Sequence, residues 1–543
     1  MITINNQIIV LCQWDHGQRK DGVRSPTMAS RRRIGDQRCA ALQDLRGDTA
    51  LTNLSRRNLL GGAAAGAAAF RGASAAGAAP VGVCKVPAKW DETVDLVVVG
   101  SGGAGLATAV MAKQQGVKNV LVLEKMGYIG GNTAISGGGF NSYDPPRQKA
   151  QGIKDSPENH FKNTYEGGDG RANPELVKTM TENSYAAVQW LESMGMKFKP
   201  AIYQIYGGLY PRCHAPYGSL GSDYIKVLKA ECEKLGIEIR RQCRVTRIVR
   251  EEPLAGAVLG VEYEGKDKKI HNVRGTKSVV IASGGFAANP KMRALHDPRM
   301  LNLTTTNHVG ATGDLLPLLS DIGAEMTGLD FIQCNPGCPP GRKHRVIMHL
   351  IVKNFIMVGL DGKRFVAEDE RRDVIRDAVL SLPKQTAFSI IDQNGFDETN
   401  PGHQAGIVKG FETGDAWKAD SIEELAKKMK VDPAVLQKTI ADFNAGVDAQ
   451  KDALGKKPEM LRRIERAPFY AAYAGMSCHH TMGGVVINSK TQVIDRRGEV
   501  IPHLHAVGEV TGGIHGTNRL GGNAICDIFT FGRLTGISVA KGE

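Results

Sequence analysis

The sequence predicts an α/β protein built on a parallel, Rossmann-like sheet, and three observations predict it. The run Asp95-Leu96-Val97-Val98-Val99 is apolar and β-branched without alternation, the signature of a strand buried on both faces. Gly100-Ser101-Gly102-Gly103-Ala104-Gly105 follows at once and opens a helical pattern over Leu106 to Gln115. Gly116 ends the helix, Val120-Leu121-Val122-Leu123 is a second buried strand, and Glu124 closes it. Strand, glycine turn, helix and strand in this order form a dinucleotide-binding βαβ unit.

Each piece has a chemical reason. Gly100, Gly102, Gly103, Ala104 and Gly105 admit a pyrophosphate to the helix N-terminus, where free amides and the dipole favour an anion. Glu124, 24 positions after Gly100, is placed to hold a ribose hydroxyl pair. A second glycine-rich loop, Gly130-Gly131-Asn132-Thr133-Ala134-Ile135-Ser136-Gly137-Gly138-Gly139, lets backbone pass close to a pyrophosphate and a flavin ring. That second loop points to FAD rather than NAD. Ser278-Val279-Val280-Ile281-Ala282-Ser283-Gly284-Gly285-Phe286 reads as another buried strand whose small-residue end abuts the cofactor.

The last third of the chain is a poor core and a good ligand wall. Cys478-His479-His480-Thr481-Met482-Gly483-Gly484 and the segment Gly508 to Ala524 hold histidines, Arg519 and many glycines, with few large side chains. Arg and His in such a setting grip a carboxylate.

Composition bounds the reading. A chain of 543 residues is long enough for two or more domains, and 42% hydrophobic with 23% charged residues is that of a soluble globular protein. The formal charge is +13, but residues 1–79 hold eleven Lys/Arg against five Asp/Glu, which leaves +7 for the rest. A modest positive charge suits an anionic substrate or an acidic redox partner. Nucleic-acid binding is disfavoured, because no aromatic-basic interleaving or zinc-finger spacing is present. Eight of the ten cysteines lie beyond residue 79, scattered, without a disulfide framework, a C-x-x-C-H haem site or an iron–sulfur cluster pattern. No metal site is read. Cys334 and Cys338 form one C-x3-C pair, a structural spacing that also allows both to face the active site.

The N-terminus reads as an address. Ser55-Arg56-Arg57-Asn58-Leu59-Leu60 precedes a Gly/Ala run and resembles a twin-arginine export signal, with an Ala-rich disordered leader as the other reading. The run is too short, and interrupted by Arg71, to span a bilayer. Residues 1–84 are set aside as leader, and Met28 offers an alternative start. Twin-arginine export carries folded proteins, so a periplasmic or extracytoplasmic flavoprotein loaded with FAD beforehand fits the route.

The motifs Val99-Gly100-Ser101-Gly102-Gly103-Ala104-Gly105, Gly130-Gly131-Asn132, Ala282-Ser283-Gly284-Gly285-Phe286, Gly310-Ala311-Thr312-Gly313-Asp314, His479-His480-Thr481-Met482-Gly483-Gly484 and Gly508–Asn523 together resemble the soluble fumarate reductase and flavocytochrome c family, which includes urocanate reductases. The likeness covers about 92–543. It implies a FAD-binding domain from 92–335 and 478–543, with an α+β capping (clamp) domain inserted at 340–472. Residues 420–447 agree independently, reading as helices with Ile422, Leu425 and Met429, then Leu436, Ile440 and Phe443, on the apolar side.

The resemblance implies the roles of single residues. Arg372, in Asp361-Gly362-Lys363-Arg364-Phe365-Val366-Ala367-Glu368-Asp369-Glu370-Arg371-Arg372-Asp373, falls on the family's proton donor, although without the family this stretch reads as a solvated helical face. His479, taken as an imidazolium, and Arg519 fall on its carboxylate-binding pair. Non-covalent FAD contacts are implied at Gly100, Gly102, Gly103, Ala104, Gly105, Glu124, Lys125, Gly131, Asn132, Thr133, Ser136, Gly137, Gly138, Ala282, Gly284, Asp314, His480 and Glu509. Asn523, Ala524 and Ile525 open the last helix, whose amides face the flavin. His515 and Asn518 are scaffold or flavin neighbours.

The departures from the family concern the substrate. Asn335, before Pro336, stands where fumarate reductases carry a His and urocanate reductases a Tyr. Ile347, Met348 and Ile351 replace the family's Thr-Glu pair and relay Arg. Two readings of Gly341-Arg342-Lys343-His344-Arg345-Val346-Ile347-Met348-His349-Leu350 remain. Either Ile347, Met348 and Leu350 line an apolar slot, which is favoured, or His349 and Arg345 meet a polar tail or supply a new relay. The first reading suits an aryl- or alkyl-acrylate.

Three functions compete: a reductase of an α,β-unsaturated carboxylate, a dehydrogenase of the ketosteroid-desaturase type, and a non-enzymatic flavin carrier. The second needs a base, usually Tyr, and the set Arg372, His479 and Arg519 argues against the last two. No haem domain or flavin-carrier domain is read, so electrons come from a separate protein, a c-type cytochrome or a membrane quinol dehydrogenase.

Overall fold

The apolar strand Glu92–Val99 lies inside an eight-stranded sheet, where Leu96, Val97 and Val98 are wholly buried. The computed structural model describes residues 86–218 and 220–543, together with the backbone of a small antiparallel pairing of Thr3–Ile4 with Gln7–Ile8. The twin-arginine motif of the leader lies outside the described residues.

The sheet runs Gln492–Ile494, Val500–Ala506, Ile270–Ile281, Glu92–Val99, Val120–Glu124, Glu238–Arg241, and its four inner pairings are parallel. Ala255–Glu264 and Arg244–Glu252 add an antiparallel extension through Ile270–Ile281. The helix after the glycine turn spans Gly103–Gln114 and starts three residues before the apolar pattern does. Gly103 to Ala112 are all buried, so no polar face marks its beginning. Small residues explain the close packing. The final helix, Asn523–Lys541, lies against it at Gly532 and Gly536, where a Cβ would meet Ala107 and Met111.

The second sheet is organised by one long strand, Phe469–Thr481. Its first half pairs with Ala387–Ile391 and Ala416–Ala419, and its second half with Ile332–Gly337 and Thr304–Thr305. Phe355–Gly359 extends it beyond Ala387–Ile391. Ile356, Phe388, Ile390, Leu425, Leu436 and Phe443 form a separate buried cluster beneath the helices Ile422–Met429 and Pro433–Asp448. Ser421 and Asp432 cap these helices by accepting backbone N–H groups, as their residue types favour. Among the described residues no helix is long and apolar enough to cross a membrane.

The ladder between Ile332–Gly337 and Phe469–Thr481 is irregular at one place. Gln333 pairs with His480 and Cys334 with Cys478, so His479 is the extra residue of a bulge. A bulge re-aims the side chain it carries.

Candidate active site

The glycine turn opens onto a cleft of about 960 Å³. Gly100, Gly102, Gly103, Ala104, Glu124, Lys125, Gly131, Asn132, Thr133, Ala282, Gly284, Asp314 and Glu509 line it, as the sequence predicts, together with Tyr128, Arg244 and His308. Gly102 has φ −69°, and a Cβ built there meets nothing within 4 Å, so the space beside it is free for a phosphate. Gly100, at φ +111°, lies so close to the Ala282 carbonyl that no side chain fits. These features fit a dinucleotide in this cleft.

Glu124 is fixed before any ligand arrives. Its Oε2 accepts from Ser101 N at 3.0 Å and Ser101 Oγ at 2.6 Å, and its Oε1 accepts from Met126 N at 2.8 Å. Lys125 is paired with Asp314 at 3.0 Å. Glu509 accepts from Thr481 N and from Asn132 Nδ2, and burial pushes its carboxyl pKa up. His480 lies 3.7 Å from Glu509 Oε1 and is held far below the usual imidazole range, first by burial and then by Arg519.

Some predicted contacts sit outside the lining of this cleft. Gly105 underlies the turn, its Cα crowding the Gly100 carbonyl. Ser136 bonds back to the Thr133 carbonyl, and Gly138 packs on Pro216 and Leu220, with Gly137 between them. Asn523 opens the last helix, as expected, but its side chain is spent on Asn141, His160 and Thr164. Ala524 and Ile525 follow in the first turn, where backbone amides have no partner within the helix. His515 bonds Asp527 and Asn518 bonds the Gly167 carbonyl, so both are scaffold.

Arg372, Arg519 and His479 come together. Arg372 is the first residue of the helix Arg372–Leu380 and is buried. It donates from Nη1 to Gln333 Oε1 at 3.0 Å and from Nη2 to the Tyr206 carbonyl at 2.6 Å. Arg519 donates from Nη2 to the same Gln333 oxygen at 2.8 Å. The Nε of each arginine is buried and without a partner. Neither guanidinium has a carboxylate partner among the described residues. Burial lowers the Arg372 pKa, and a helix N-terminus acts against a cation in the same sense. Burial, then Arg372, bring Arg519 down to about 9.

His479 requires a correction. It is held well below the usual imidazole range by burial and then by Arg519, Arg372, Arg345 and His349, so it is neutral rather than an imidazolium. Its Nδ1 lies 2.6 Å from Thr306 Oγ1. The Thr306 hydroxyl also reaches the Cys478 carbonyl at 3.5 Å, and where it donates instead to the shorter His479 contact the ring carries its proton on Nε2.

The loop before Leu350 is also corrected. Leu350 is 43% exposed and Met348 is packed in the core, so neither lines an apolar slot. His349 turns inward, while Lys343 remains exposed. His349 is 2% exposed, and its ring meets Tyr206 edge-on at 5.6 Å. Tyr206 in turn lies under the Arg372 guanidinium at 5.0 Å. Arg345 donates Nε and Nη2 to the Pro336 carbonyl, next to Asn335. Asn335 Oδ1 and the Tyr206 hydroxyl are buried without partners. Sequence reasoning missed Gln333, Tyr206 and Thr306. Only the position of Gln333 two residues before Asn335, on the same strand face, could have signalled one of them.

The two members of the C-x3-C pair have separate buried neighbours. Cys334 contacts Cys478, at 4.0 Å between sulfurs, while Cys338 lies by Thr304.

A glycine-lined cleft shaped for a dinucleotide fits a flavin-dependent oxidoreductase. Residues 95–525 match the FAD binding domain family. The chain is 36% identical to the fumarate reductase (cytochrome) of Shewanella frigidimarina over 452 residues, 83% of this chain and 77% of that protein. It is 33% identical over 499 residues to the acrylate reductase flavoprotein subunit of Shewanella woodyi, covering 88% of this chain and 97% of that protein. Among solved structures, the open conformation of a flavocytochrome c3 fumarate reductase superposes with a TM-score of 0.69 at 32% identity, covering 92% of this chain and 83% of that one. The chain therefore belongs to the fumarate reductase and flavocytochrome c family of FAD flavoproteins, oxidoreductases acting on CH–CH groups.

Proposed function

We propose that the protein is an exported FAD-dependent reductase of the C=C bond of an α,β-unsaturated carboxylate. The observation that carries this reading is the convergence of Arg372 and Arg519 on one oxygen, with no carboxylate in contact with either among the described residues. Two buried cations in that state call for an anion.

FAD bound in the cleft supplies hydride to the β-carbon. Arg519 and the Nε2–H of His479 hold the substrate carboxylate and draw electron density toward it, which makes the β-carbon a better acceptor. Arg372 delivers the proton to the α-carbon. An ordinary arginine, with a pKa above about 12, is a poor acid. Burial favours its neutral form, against an opposing contribution from Tyr206, and so makes it a better one. Residues 340–472 act as the cap that excludes water when the substrate is held. Electrons come from a separate donor, a c-type cytochrome or membrane quinol dehydrogenase, and the twin-arginine leader carries the loaded protein out of the cytoplasm.

The substrate end remote from the carboxylate is polar. Asn335 Oδ1 and the Tyr206 hydroxyl have no partner, and His349 and Arg345 lie beside them, a wall that suits a group able both to donate and to accept. An aryl-acrylate with a hydroxyl on its ring fits this description. A dehydrogenase is disfavoured, because burial raises the Tyr206 pKa, against Arg372 and Arg345, and keeps its hydroxyl protonated.

The test is anaerobic reoxidation of the viologen-reduced, FAD-loaded protein by fumarate, urocanate, cinnamate, hydroxycinnamates, crotonate, methacrylate and itaconate. Rapid reoxidation by a hydroxycinnamate is the expected result. Silence across the panel, with flavin reduction by a saturated compound instead, overturns the reading.

A further inference from the structure

Cys334 and Cys478 stand directly opposite one another in the ladder that builds the site. Their sulfurs are 4.0 Å apart, and Met300 Sδ touches them at 3.8 and 3.9 Å. Both thiols are fully buried, yet Gln333, Asn335 and His479 adjoin them along the two strands and belong to the site. Neither thiol takes part in the chemistry described above.

We infer that Cys334 and Cys478 form an oxidation site that hydrogen peroxide converts to a cross-strand disulfide, and that this reversibly lowers turnover. The geometry needs little change. A disulfide requires an S–S separation near 2.05 Å, and opposed residues of an antiparallel ladder supply Cα and Cβ spacings within its range. Each sulfur then moves by about 1 Å, which draws the two strands together at this pair.

The two thiols differ in a way that suits the two steps. Cys334 donates its S–H toward Cys478, which lowers the Cys478 pKa, with Arg293 and Arg376 assisting, while the same contact and burial raise that of Cys334. The Cys478 thiolate attacks peroxide, the O–O bond breaks, hydroxide leaves and a sulfenic acid remains. The Cys334 thiol then attacks that sulfur, the S–O bond breaks and water leaves. Two thiols and one peroxide give one disulfide and two waters.

Access follows from the same placement. The sulfurs face away from Gln333 and Asn335, and the bulge at His479, which interrupts the ladder beside Cys478, is the route by which peroxide reaches them. The effect on turnover follows from their neighbours. Gln333 holds both arginines and His479 sits in the bulge beside Cys478, so drawing the strands together displaces the groups that meet the substrate. A displacement of about 1 Å at such groups costs up to 10²-fold.

The test treats the full-length, FAD-loaded protein with peroxide, quenches, denatures, alkylates and maps the peptides. The expected product is the Cys334 and Cys478 peptides joined, lighter by two hydrogens, with Cys213, Cys338 and Cys526 alkylated separately. Viologen-linked turnover should fall at least tenfold and return with dithiothreitol. C334S and C478A should each lose the cross-link and keep their turnover through peroxide treatment, whereas C338S should behave as the parent does. Separate alkylation of Cys334 and Cys478, a Cys334–Cys338 cross-link, or a sulfinic acid at Cys478 overturns the site. A cross-link that leaves turnover unchanged overturns its effect on catalysis. The turnover readout rests on the proposed reductase activity and the peptide map does not, so an inactive protein that still cross-links faults only that activity.

Discussion

Arg372 and Arg519 donate to a single oxygen, Gln333 Oε1, at 3.0 and 2.8 Å. A neutral amide carbonyl thus holds two like charges in register without neutralising either. Gln333 is itself pinned, its Nε2 donating to Asn518 Oδ1 and to the Arg519 carbonyl. The arrangement favours one occupant, an anion between the two guanidiniums.

If Arg372 is the acid, Arg372→Ala should lower turnover about 10²–10⁴-fold, the usual contribution of a general acid, while the flavin spectrum and FAD content stay unchanged. Arg372→Lys should be nearly as inactive, because one ammonium cannot reach both Gln333 Oε1 and the Tyr206 carbonyl. Stopped-flow flavin reoxidation separates this loss from any loss of binding. A fully active Arg372→Ala variant would refute the assignment.

The lowered pKa of Arg519, about 9, predicts how binding depends on pH. Below that value the guanidinium is charged and grips the carboxylate; above it the charge is lost. KM should therefore rise about tenfold per pH unit above pH 9. A bound carboxylate restores the charged form, so kcat should change less than KM over the same range. His479 is neutral in the free protein and should add no break between pH 6 and 7. Profiles of kcat and kcat/KM from pH 6 to 10 check both statements.

Much of this was legible in the sequence because glycine and buried strands leave patterns that local chemistry imposes. Gly100 to Gly105, Glu124 and Glu509 are where the motif puts them, since a pyrophosphate leaves few other backbone solutions. The substrate wall was not legible, because inward and outward residues of the irregular segment 341–350 follow no period. Met348 and Leu350 look alike in sequence, but one is in the core and the other in solvent. The neutrality of His479 was hidden for a related reason, since it depends on four distant cationic or imidazole groups converging.

The FAD cleft can be tested without touching the chemistry. Gly102→Val keeps an allowed φ and meets nothing in the empty cleft, so the apoprotein should unfold within about 0.5 kcal/mol of the parent. The new methyl groups occupy the phosphate space, and FAD content should fall below about a tenth. Gly100→Ala should instead destabilise the apoprotein by more than about 1 kcal/mol, through its positive φ and the Ala282 carbonyl. Flavin quantitation and denaturant melts of the apoproteins distinguish the two.

Residues 340–472 contain a buried charge cluster whose disruption should show in stability. Glu368 accepts from Arg364 at 2.8 Å and from Met357 N at 2.9 Å, and it lies 3.2 Å from the buried Lys456 ammonium. Glu368→Ala leaves the buried Lys456 without a carboxylate and the Met357 amide without its acceptor, while Arg364 keeps Asp452, a change that costs about 3 kcal/mol. Urea unfolding followed by tryptophan fluorescence should register it at Trp417, which packs on Phe388 in the same cluster.

The polar wall makes the last prediction. If His349 and Arg345 meet a substrate hydroxyl, Arg345→Met with His349→Leu should cut kcat/KM for a hydroxycinnamate by at least tenfold. The same change should leave cinnamate unaffected or improved. The asymmetry follows from unpaired polar groups, because a site built to bond a hydroxyl penalises the analogue that lacks one, and an apolar wall no longer does. Arg519 keeps its own contacts in this variant, so the carboxylate grip should persist, while His479 loses two of the groups that hold its pKa down. A variant that loses both substrates equally would instead assign Arg345 and His349 to the support of Tyr206 and Arg372, on which they border.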